Sequence, residues 1–273
     1  MGQFSKVDRS VLIRQGKPIE ESGLTFYPIQ MCHYETFLIC KNALAVRLST
    51  LPVKYAIKDY INAVFTFEVD SLKEKRGTAG IFSRILELLR LSLRIDDLGG
   101  KNFFEKNVLF RQVNGCLEID RLKLTQNNKT VEVPIRDIST KVRVLIAEQN
   151  GIELPDENIN AELEKAQEEL SKIKSGQVKL NQNIGSLISS VAYNSKVSER
   201  EIDDWTILEF ENRRKAIDRD KKYMLYGQAE MSGMVTFKKG NPYPSWCYDS
   251  IDDSMGTMAL SALAEQNGNA EMK

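Results

Sequence analysis

Apolar residues recur at helical spacing through much of the first half of the chain. They are dense over 31–46. Pro52, a residue type favoured in the first turn of a helix, precedes a second segment with one broad apolar face: Val53, Ala56, Ile57, Tyr60, Ile61, Val64 and Phe65. A third helix is predicted over 78–94, because its apolar stripe ends in basic residues and two glycines, Gly99 and Gly100, follow closely. We therefore expect three packed helices in the N-terminal half.

The residues before this pattern are different in character. They are polar and are interrupted by three glycines and a proline, a composition that favours a loosely held segment. A short strand is the alternative for three consecutive apolar residues within it: Val11, Leu12 and Ile13. The sequence thus predicts a flexible N-terminal arm at 1–23 and a globular helical domain at 24–150.

The period of the apolar residues changes after the third helix. Two stretches rich in apolar residues, 108–113 and 116–119, flank Asn114 and Gly115. Asn-Gly is favoured at a type I′ turn because both central residues need positive φ, so the pattern predicts a β-hairpin. A third strand is predicted from strict alternation of apolar residues: Val131, Val133 and Ile135. The sequence therefore predicts a small antiparallel β-meander at 107–135.

A further helix closes this domain. Helical spacing returns over 138–146, and Asn150, Gly151 and Pro155 are typical of the residues that follow a helix C-terminus. We therefore place a domain boundary at 150–158.

A seven-residue repeat of apolar residues starts at Ile159. Its first position is occupied by Ile159, Ala166, Ile173, Leu180 and Leu187, and its second by Leu163, Leu170, Gln177, Ile184 and Val191. Such a repeat, with charged residues between its apolar positions, is typical of a coiled coil or of paired helices. Gly176 destabilises a helix by about 1 kcal/mol relative to alanine, so we expect a bend there. The repeat at 159–191 is also where we expect self-association.

A second long helix is predicted to follow the repeat. Ser198 and Glu201 have the spacing of a capping box, in which each side chain accepts a hydrogen bond from the backbone N–H of the other residue. Two long helices with a short connection predict a helical hairpin at 158–232. The remaining residues, 233–273, are predicted to form a proline- and aromatic-containing loop and a disordered tail.

These patterns predict a mainly α fold with a small antiparallel β-meander, of the α+β class, in which an N-terminal helical body precedes a long helical hairpin or coiled coil. The chain has 273 residues and 42% hydrophobic content, which is enough to bury a substantial core. Its four cysteines are scattered, which fits a reducing compartment. It has neither a signal-peptide pattern nor an apolar run of about 18 residues, so we expect no membrane partner and a cytoplasmic location.

The charge of the chain is balanced. Lysine plus arginine (38) equals aspartate plus glutamate (38), so the molecule as a whole exerts no long-range attraction on nucleic acid. A basic cluster at 213–222 is interleaved with acidic residues, a mixture typical of a solvent-facing helix. Nucleic acid is therefore not the partner that we expect.

The residue types that carry chemistry form no recognisable site in the sequence. His33 is the single histidine, and Cys32 and Cys40 near it match no zinc-ligand spacing. The sequence has no glycine-rich phosphate-binding motif, and its paired aspartates are typical of solvated positions. We therefore expect no metal, no cofactor and no enzymatic activity.

Aromatic residues in the C-terminal part are the candidate partner-binding residues. Trp205 and Phe210 have the spacing of core residues on the predicted hairpin, although large aromatics also act as anchors in interfaces. Tyr243, Trp246 and Tyr248 lie in a proline-containing segment that no regular element accommodates. Two alternatives stay open for this segment, namely docking onto a partner or folding back onto the chain.

Three segments of the chain resemble phage sequences. Residues 197–217 (VSEREIDDWTILEFENRRKAI) and 237–244 (FKKGNPYP) resemble the C-terminal part of tail assembly chaperones from long-tailed bacteriophages, and 146–155 (IAEQNGIELP) resembles sequence of phage structural modules. The resemblance implies a helical N-terminal domain that coats the tape measure protein and a C-terminal extension that recruits tail tube subunits. It also implies that the protein acts in the host bacterial cytoplasm and needs no cofactor.

The composition and the predicted elements of the chain are compatible with such a role. A coating chaperone needs amphipathic helices, balanced charge and a mobile recruiting segment rather than a preorganised pocket. The alternatives are another virion, scaffold or connector protein, and a coiled-coil regulatory protein with a nucleic-acid partner.

Overall fold

The computed structural model describes residues 6–76, 80–95, 100–113, 115–126, 129–157, 183–233, 237 and 241–247. Helices and two small antiparallel sheets make it an α+β protein. The chain divides into two compact units, residues 1–212 and residues 213–273, and the boundary falls within one helix. Among the described helices, none combines the length and the apolar character that crossing a bilayer requires.

Helices make up most of the described chain. Within the described ranges the α-helices are α1 (Lys6–Arg14), α2 (Tyr34–Cys40), α3 (Val53–Ala56), α4 (Tyr60–Lys73), α5 (Ile81–Ser92), α6 (Gly100–Asn107), α7 (Ile135–Gln149), α8 (Ile184–Ser195), α9 (Glu199–Asp203) and α10 (Ile207–Met231). Short 3-10 turns lie at Met31–His33, Lys41–Ala45 and Leu48–Thr50.

The strands form a two-stranded sheet and a three-stranded meander. The first sheet pairs β1 (Ile19–Glu21) with β2 (Leu24–Phe26), and the second contains β3 (Val108–Val113), β4 (Cys116–Gln126) and β5 (Lys129–Pro134) in that order, all antiparallel. A three-stranded antiparallel meander is therefore present over 108–134, and Ile135, which the alternation predicted in the third strand, instead begins α7. Gly115 has a φ of 76° in the turn between β3 and β4, and Asn114 is outside the described residues.

A buried amide joins the meander to α4 in the core of the first unit. Nδ2 of Asn62 donates to the carbonyl of Ile119 at 3.0 Å, and Oδ1 of Asn62 accepts from the amide of Ile119 at 2.8 Å. Strand β5 pairs only with residues 121–126 of β4, so Ile119 lies beyond its reach. Asn62 thus supplies hydrogen-bond partners to backbone groups that are buried away from water.

The N-terminal arm predicted at 1–23 contains regular secondary structure within its described residues, and its flexibility stays a prediction. Val11, Leu12 and Ile13 lie in α1 and not in a strand. Arg9 of α1 pairs with Glu148 of α7 at 2.7 Å, and Ile19 of β1 is buried beside its partner strand. These partners are distant in sequence, which is why the local composition did not indicate them.

The single helix predicted after Pro52 is two helices, α3 and α4. Asp59 lies between them in an extended conformation, and its side chain accepts a hydrogen bond from the amide of Asn62 at 3.1 Å. This contact is an N-cap, which satisfies a backbone donor that a new helix leaves without a partner. Asp59 therefore ends one helical segment and begins the next.

The second long helix predicted near residue 199 is also divided. Ser198 makes the predicted capping box and begins α9, but α9 and α10 are separate helices. Between them, the carbonyl of Trp205 accepts from the amide of Met31 at 2.9 Å, and the amide of Ile207 donates to the carbonyl of Ile29 at 3.0 Å. Because these backbone groups pair with a distant segment, they are not available to a continuous helix.

The seven-residue repeat at 159–191 falls mostly outside the described residues, which omit 158–182. The described part is α8, in which Ile184 and Leu187 are half-buried and Val191 is buried. The long helical hairpin or coiled coil, and self-association through the repeat, therefore stay predictions.

Candidate partner-binding residues

The aromatic candidates occupy different environments. Trp205 and Phe210 belong to the first unit, Tyr243 and Trp246 belong to the second, and Tyr248 lies outside the described residues. Each is therefore described in the unit that contains it.

Phe210 is a core residue of the first unit. Its side chain is fully buried, and its ring centroid lies 5.7 Å from that of Tyr34 in an edge-to-face arrangement. The Tyr34 hydroxyl donates to Oε1 of Glu211 at 2.9 Å, which ties the start of α10 to α2. The buried ring agrees with the core alternative for Phe210, and a partner-binding role for this residue stays a prediction.

Trp205 contributes to the same junction through its backbone. Its carbonyl accepts from Met31, as described above, and its amide donates to the carbonyl of Ile202 at 3.0 Å. Its side chain is half-buried. The backbone of Trp205 therefore has a structural role, and a partner-binding role of its ring stays a prediction.

In the second unit, residues 241–247 fold back along one face of α10. Tyr243 rests against Tyr226 with ring centroids 4.9 Å apart, and Nζ of Lys222 lies 5.3 Å from the centre of the Tyr243 ring. Asp218, which pairs with Lys222 at 2.7 Å, raises the pKa of the lysine above its ordinary value, and Tyr243 adds to this effect. A charged ammonium group is thus held at the aromatic face of the loop.

Two polar contacts hold the ends of this loop. Nδ2 of Asn241 donates to Oε2 of Glu230 at 3.2 Å, and the guanidinium of Arg219 donates to the carbonyl of Cys247 at 2.9 Å. The first loop residue therefore lies beside the end of the helix and the last lies nearer its middle. The loop runs antiparallel to α10.

The loop also makes hydrogen bonds within itself. Oδ1 of Asn241 accepts from the amide of Tyr243 at 2.9 Å, and the hydroxyl of Ser245 accepts from the amide of Cys247 at 3.1 Å. These are side-chain turns of the kind that Asn and Ser favour, and the two intervening prolines have no N–H to satisfy. The sequence of the loop therefore needs no helix or strand to accommodate it.

Large apolar side chains of the second unit remain exposed. Their exposed fractions are 38% for Tyr223, 54% for Met224, 63% for Leu225, 90% for Met231 and 61% for Trp246. Four stand on α10 and Trp246 stands on the loop. Methionine adapts its shape to a partner, and aromatic residues supply much of the binding energy of interfaces. We call these five side chains the exposed C-terminal apolar residues.

The sequence prediction includes Trp246 but omits the other four members of this set, Tyr223, Met224, Leu225 and Met231. A signal for them is present in the sequence, since they follow a charged stretch of the helix and Met224 and Met231 are separated by one seven-residue period. Spacing alone does not distinguish an exposed apolar face from a buried one, which is why the signal was not decisive.

The first unit also exposes large apolar side chains. They are Ile39 of α2, Val53 of α3 and Ile57 one turn after it, Leu72 of α4, Leu109, Phe110 and Leu117 of the β3–β4 hairpin, and Tyr193 of α8. Exposed apolar side chains as such are common on folded proteins. They provide matched positions for mutational controls.

The described residues contain no group of three His, Cys, Asp or Glu side chains arranged to hold a metal ion. Cys40 is buried, and burial raises the pKa of its thiol, which disfavours the reactive thiolate. That the protein has no cofactor and no enzymatic activity stays a prediction.

Comparison with known proteins gives no relative from which a function could be transferred. No protein-family model, no curated protein and no solved structure matches this chain.

Proposed function

We propose that this chain is a non-enzymatic tail assembly chaperone of a long-tailed bacteriophage, which acts in the host bacterial cytoplasm. The first unit binds the tape measure protein, and the second unit recruits tail tube subunits. The observation that carries the proposal is the set of exposed C-terminal apolar residues on a helix and a loop that the second unit holds in place.

The physical chemistry of this set supports recruitment of a protein. Exposed large apolar side chains that are concentrated on one small element mark interaction surfaces, because water is a poor solvent for them. A few such residues supply most of the binding energy of an interface. Trp246 is exposed on a preformed loop, so it loses less conformational freedom on binding than a residue in a flexible tail.

The segments that resemble the phage family include parts of the helix and the loop that carry the exposed C-terminal apolar residues. Residues 197–217 run from the cap of α9 into α10, and the described end of 237–244 is the part of the loop that rests on α10. Tyr243 in this segment packs on the helix and positions the residues that follow it, including Trp246. The resemblance and the exposed residues therefore favour the same function.

The proposal is tested by capture of the tape measure and tail tube proteins from the same genome on the immobilised full-length chain. We expect the wild-type chain to capture both. Trp246→Ala should lose tube capture and keep tape measure capture, because it changes only the second unit. Ile57→Ala removes an apolar side chain that is 79% exposed in the first unit, and it should keep tube capture.

Capture of neither protein by the wild-type chain would contradict the proposal. Deleting the whole second unit by ending the chain at residue 195 would be a poor test of tube recruitment. Such a truncation also removes the buried side chains of Ile202, Ile207 and Phe210 from the first unit. Point substitutions in the second unit avoid this loss of core packing.

A further inference from the structure

The backbone on both sides of Trp246 is held in place. Three residues before it, the ring of Tyr243 packs against α10. Directly after it, the amide of Cys247 donates to the hydroxyl of Ser245 at 3.1 Å, and the carbonyl of Cys247 accepts from the guanidinium of Arg219 at 2.9 Å. The backbone of Trp246 therefore lies between two fixed points, although its side chain is 61% exposed.

Arg219 attaches the second of these fixed points to the helix. The hydrogen bond between Ser245 and Cys247 closes a turn around Trp246, but it lies within the loop and does not itself join that turn to α10. The bond from Arg219 joins residues that are 28 positions apart and makes this connection. A guanidinium is always charged, and hydrogen bonds from charged donors are stronger than those between neutral groups.

Arg219 lies on the face of α10 that carries the other contacts of the loop. Positions separated by three, four and four residues lie on one side of a helix. The helix residues that contact the loop have this spacing: Arg219, Lys222, Tyr226 and Glu230. The side chain of Arg219 is half-buried. Its contact is the one furthest along the described loop, at the residue that follows Trp246.

We infer that Arg219 is a positioning residue for Trp246, which fixes the backbone that carries the indole and so prepares this side chain to bind the recruited protein. The inference rests on the proposed function, in which Trp246 contacts the tail tube protein. A residue that is already ordered loses less conformational freedom when it binds, so the contact that orders it contributes to the affinity. Arg219 therefore acts through Trp246 and not through a contact of its own with the partner.

The contribution to affinity is tested with the full-length chain and the tail tube protein. Arg219→Gln should weaken binding about tenfold, because one or two loop residues then have to be fixed on binding. Arg219→Lys keeps a charged donor without the planar guanidinium and should give an intermediate affinity. Lys221→Gln removes an exposed charge from the opposite side of the same helix and should bind like the wild type. The melting temperature should be the same in all of these proteins, since none of them lacks a core side chain.

A double-mutant cycle separates positioning from direct contact. In Trp246→Ala there is no indole left to position, so the addition of Arg219→Gln should cause no further loss of affinity. A double variant in which the two losses multiply would show that Arg219 contacts the partner independently, and it would overturn the inference. Arg219→Gln that binds like the wild type would also overturn it.

The position of the indole is measurable without a partner. The difference in fluorescence between a protein and its Trp246→Ala counterpart isolates the emission of Trp246 from that of Trp205, the other tryptophan of the chain. The anisotropy of this emission should fall in Arg219→Gln and should be unchanged in Lys221→Gln. An unchanged anisotropy in Arg219→Gln would overturn the inference, even where tube capture by the wild type supports the proposed function. A wild-type chain that captures no tube protein would overturn the proposed function, whereas a fall in anisotropy would still support the positioning of Trp246 by Arg219.

Discussion

Tyr243 packs against Tyr226 with ring centroids 4.9 Å apart and ring planes at 54°. Phe237 contacts the same tyrosine, with its centroid 5.6 Å from that of Tyr226. These contacts attach to α10 a segment whose sequence suits neither helix nor strand. Trp246 is therefore exposed and at the same time positioned, which is the arrangement expected of an anchor residue in an interface.

Removal of the Tyr243 ring should release the loop without unfolding the protein. An aromatic pair contributes about 0.5–1.5 kcal/mol beyond the burial of its area, which is comparable to the stability of a short loop but not of a domain. Limited proteolysis of Tyr243→Ala should therefore show faster cleavage within 241–247 at an unchanged melting temperature. Tyr193→Ala, at a ring that is 85% exposed in the first unit, is the control. Equal cleavage rates in the two variants would show that the ring pair does not hold the loop.

Phe210→Ala should destabilise the protein strongly. The ring is fully buried against Tyr34, and removal of a buried phenylalanine costs about 3–5 kcal/mol. Met231→Ala, at a side chain that is 90% exposed, should change the free energy of unfolding by less than about 0.5 kcal/mol. Denaturant unfolding of both variants measures the difference, and similar losses would contradict the assignment of Phe210 to the core.

Tyr60 should make the stability sensitive to alkaline pH. Burial raises the pKa of Tyr60 from 10.0 to about 12, and its hydroxyl donates to the carbonyl of Ala43 at 2.8 Å. Between these two pKa values the unfolded chain loses a proton that the folded protein retains. The contribution of Tyr60 to stability is therefore fully present below pH 10.0, the pKa of the tyrosine in the unfolded chain. Above that pH the free energy of unfolding falls by up to about 1.4 kcal/mol per pH unit.

The matched variant for this effect is Tyr60→Phe. It lacks the hydrogen bond to Ala43, so it should be less stable than the wild type at neutral pH by about 1 kcal/mol. It has no hydroxyl to titrate, so the difference should shrink as the pH rises above 10.0. Denaturant unfolding over this range measures the difference, and a constant value would contradict the proton linkage.

Lys196→Gly should stabilise the protein. Lys196 ends α8 with a φ of 56°, and the next amide, that of Val197, donates to the carbonyl of Ala192 at 3.2 Å. A residue with a Cβ is strained in this left-handed conformation and glycine is not, so the expected gain is about 0.5–1 kcal/mol. Ser195→Gly, inside the helix, should have the opposite sign. A loss of stability in Lys196→Gly would contradict the cap geometry.

Local signals predicted those parts of the fold that are stabilised locally. The alternation and the Asn-Gly pair predicted the meander, and Ser198 with Glu201 predicted the start of α9. The division between α9 and α10 was not predictable in this way. It depends on backbone hydrogen bonds of Trp205 and Ile207 to a segment near the N-terminus, and no sequence window contains both partners.

The same limit applies to the candidate partner-binding residues. Phe210 and Trp246 are both large aromatics, but Phe210 has the spacing of a core residue on the predicted hairpin, whereas Trp246 lies in a proline-containing segment that no regular element accommodates. Phe210 is buried with the ring of Tyr34 beside it, whereas Trp246 stands on the loop 241–247 and is 61% exposed. Residue type predicts an anchor, and only the tertiary neighbours decide whether that anchor is accessible.

The central claim is that the second unit recruits a protein through its exposed apolar residues. The most direct measurement is the dissociation constant of the full-length chain for the tail tube protein, compared among the wild type, Trp246→Ala and Ile57→Ala. We predict that Trp246→Ala weakens binding about 30-fold, equivalent to about 2 kcal/mol, at an unchanged melting temperature, and that Ile57→Ala binds like the wild type. Equal dissociation constants for all three proteins would contradict the claim.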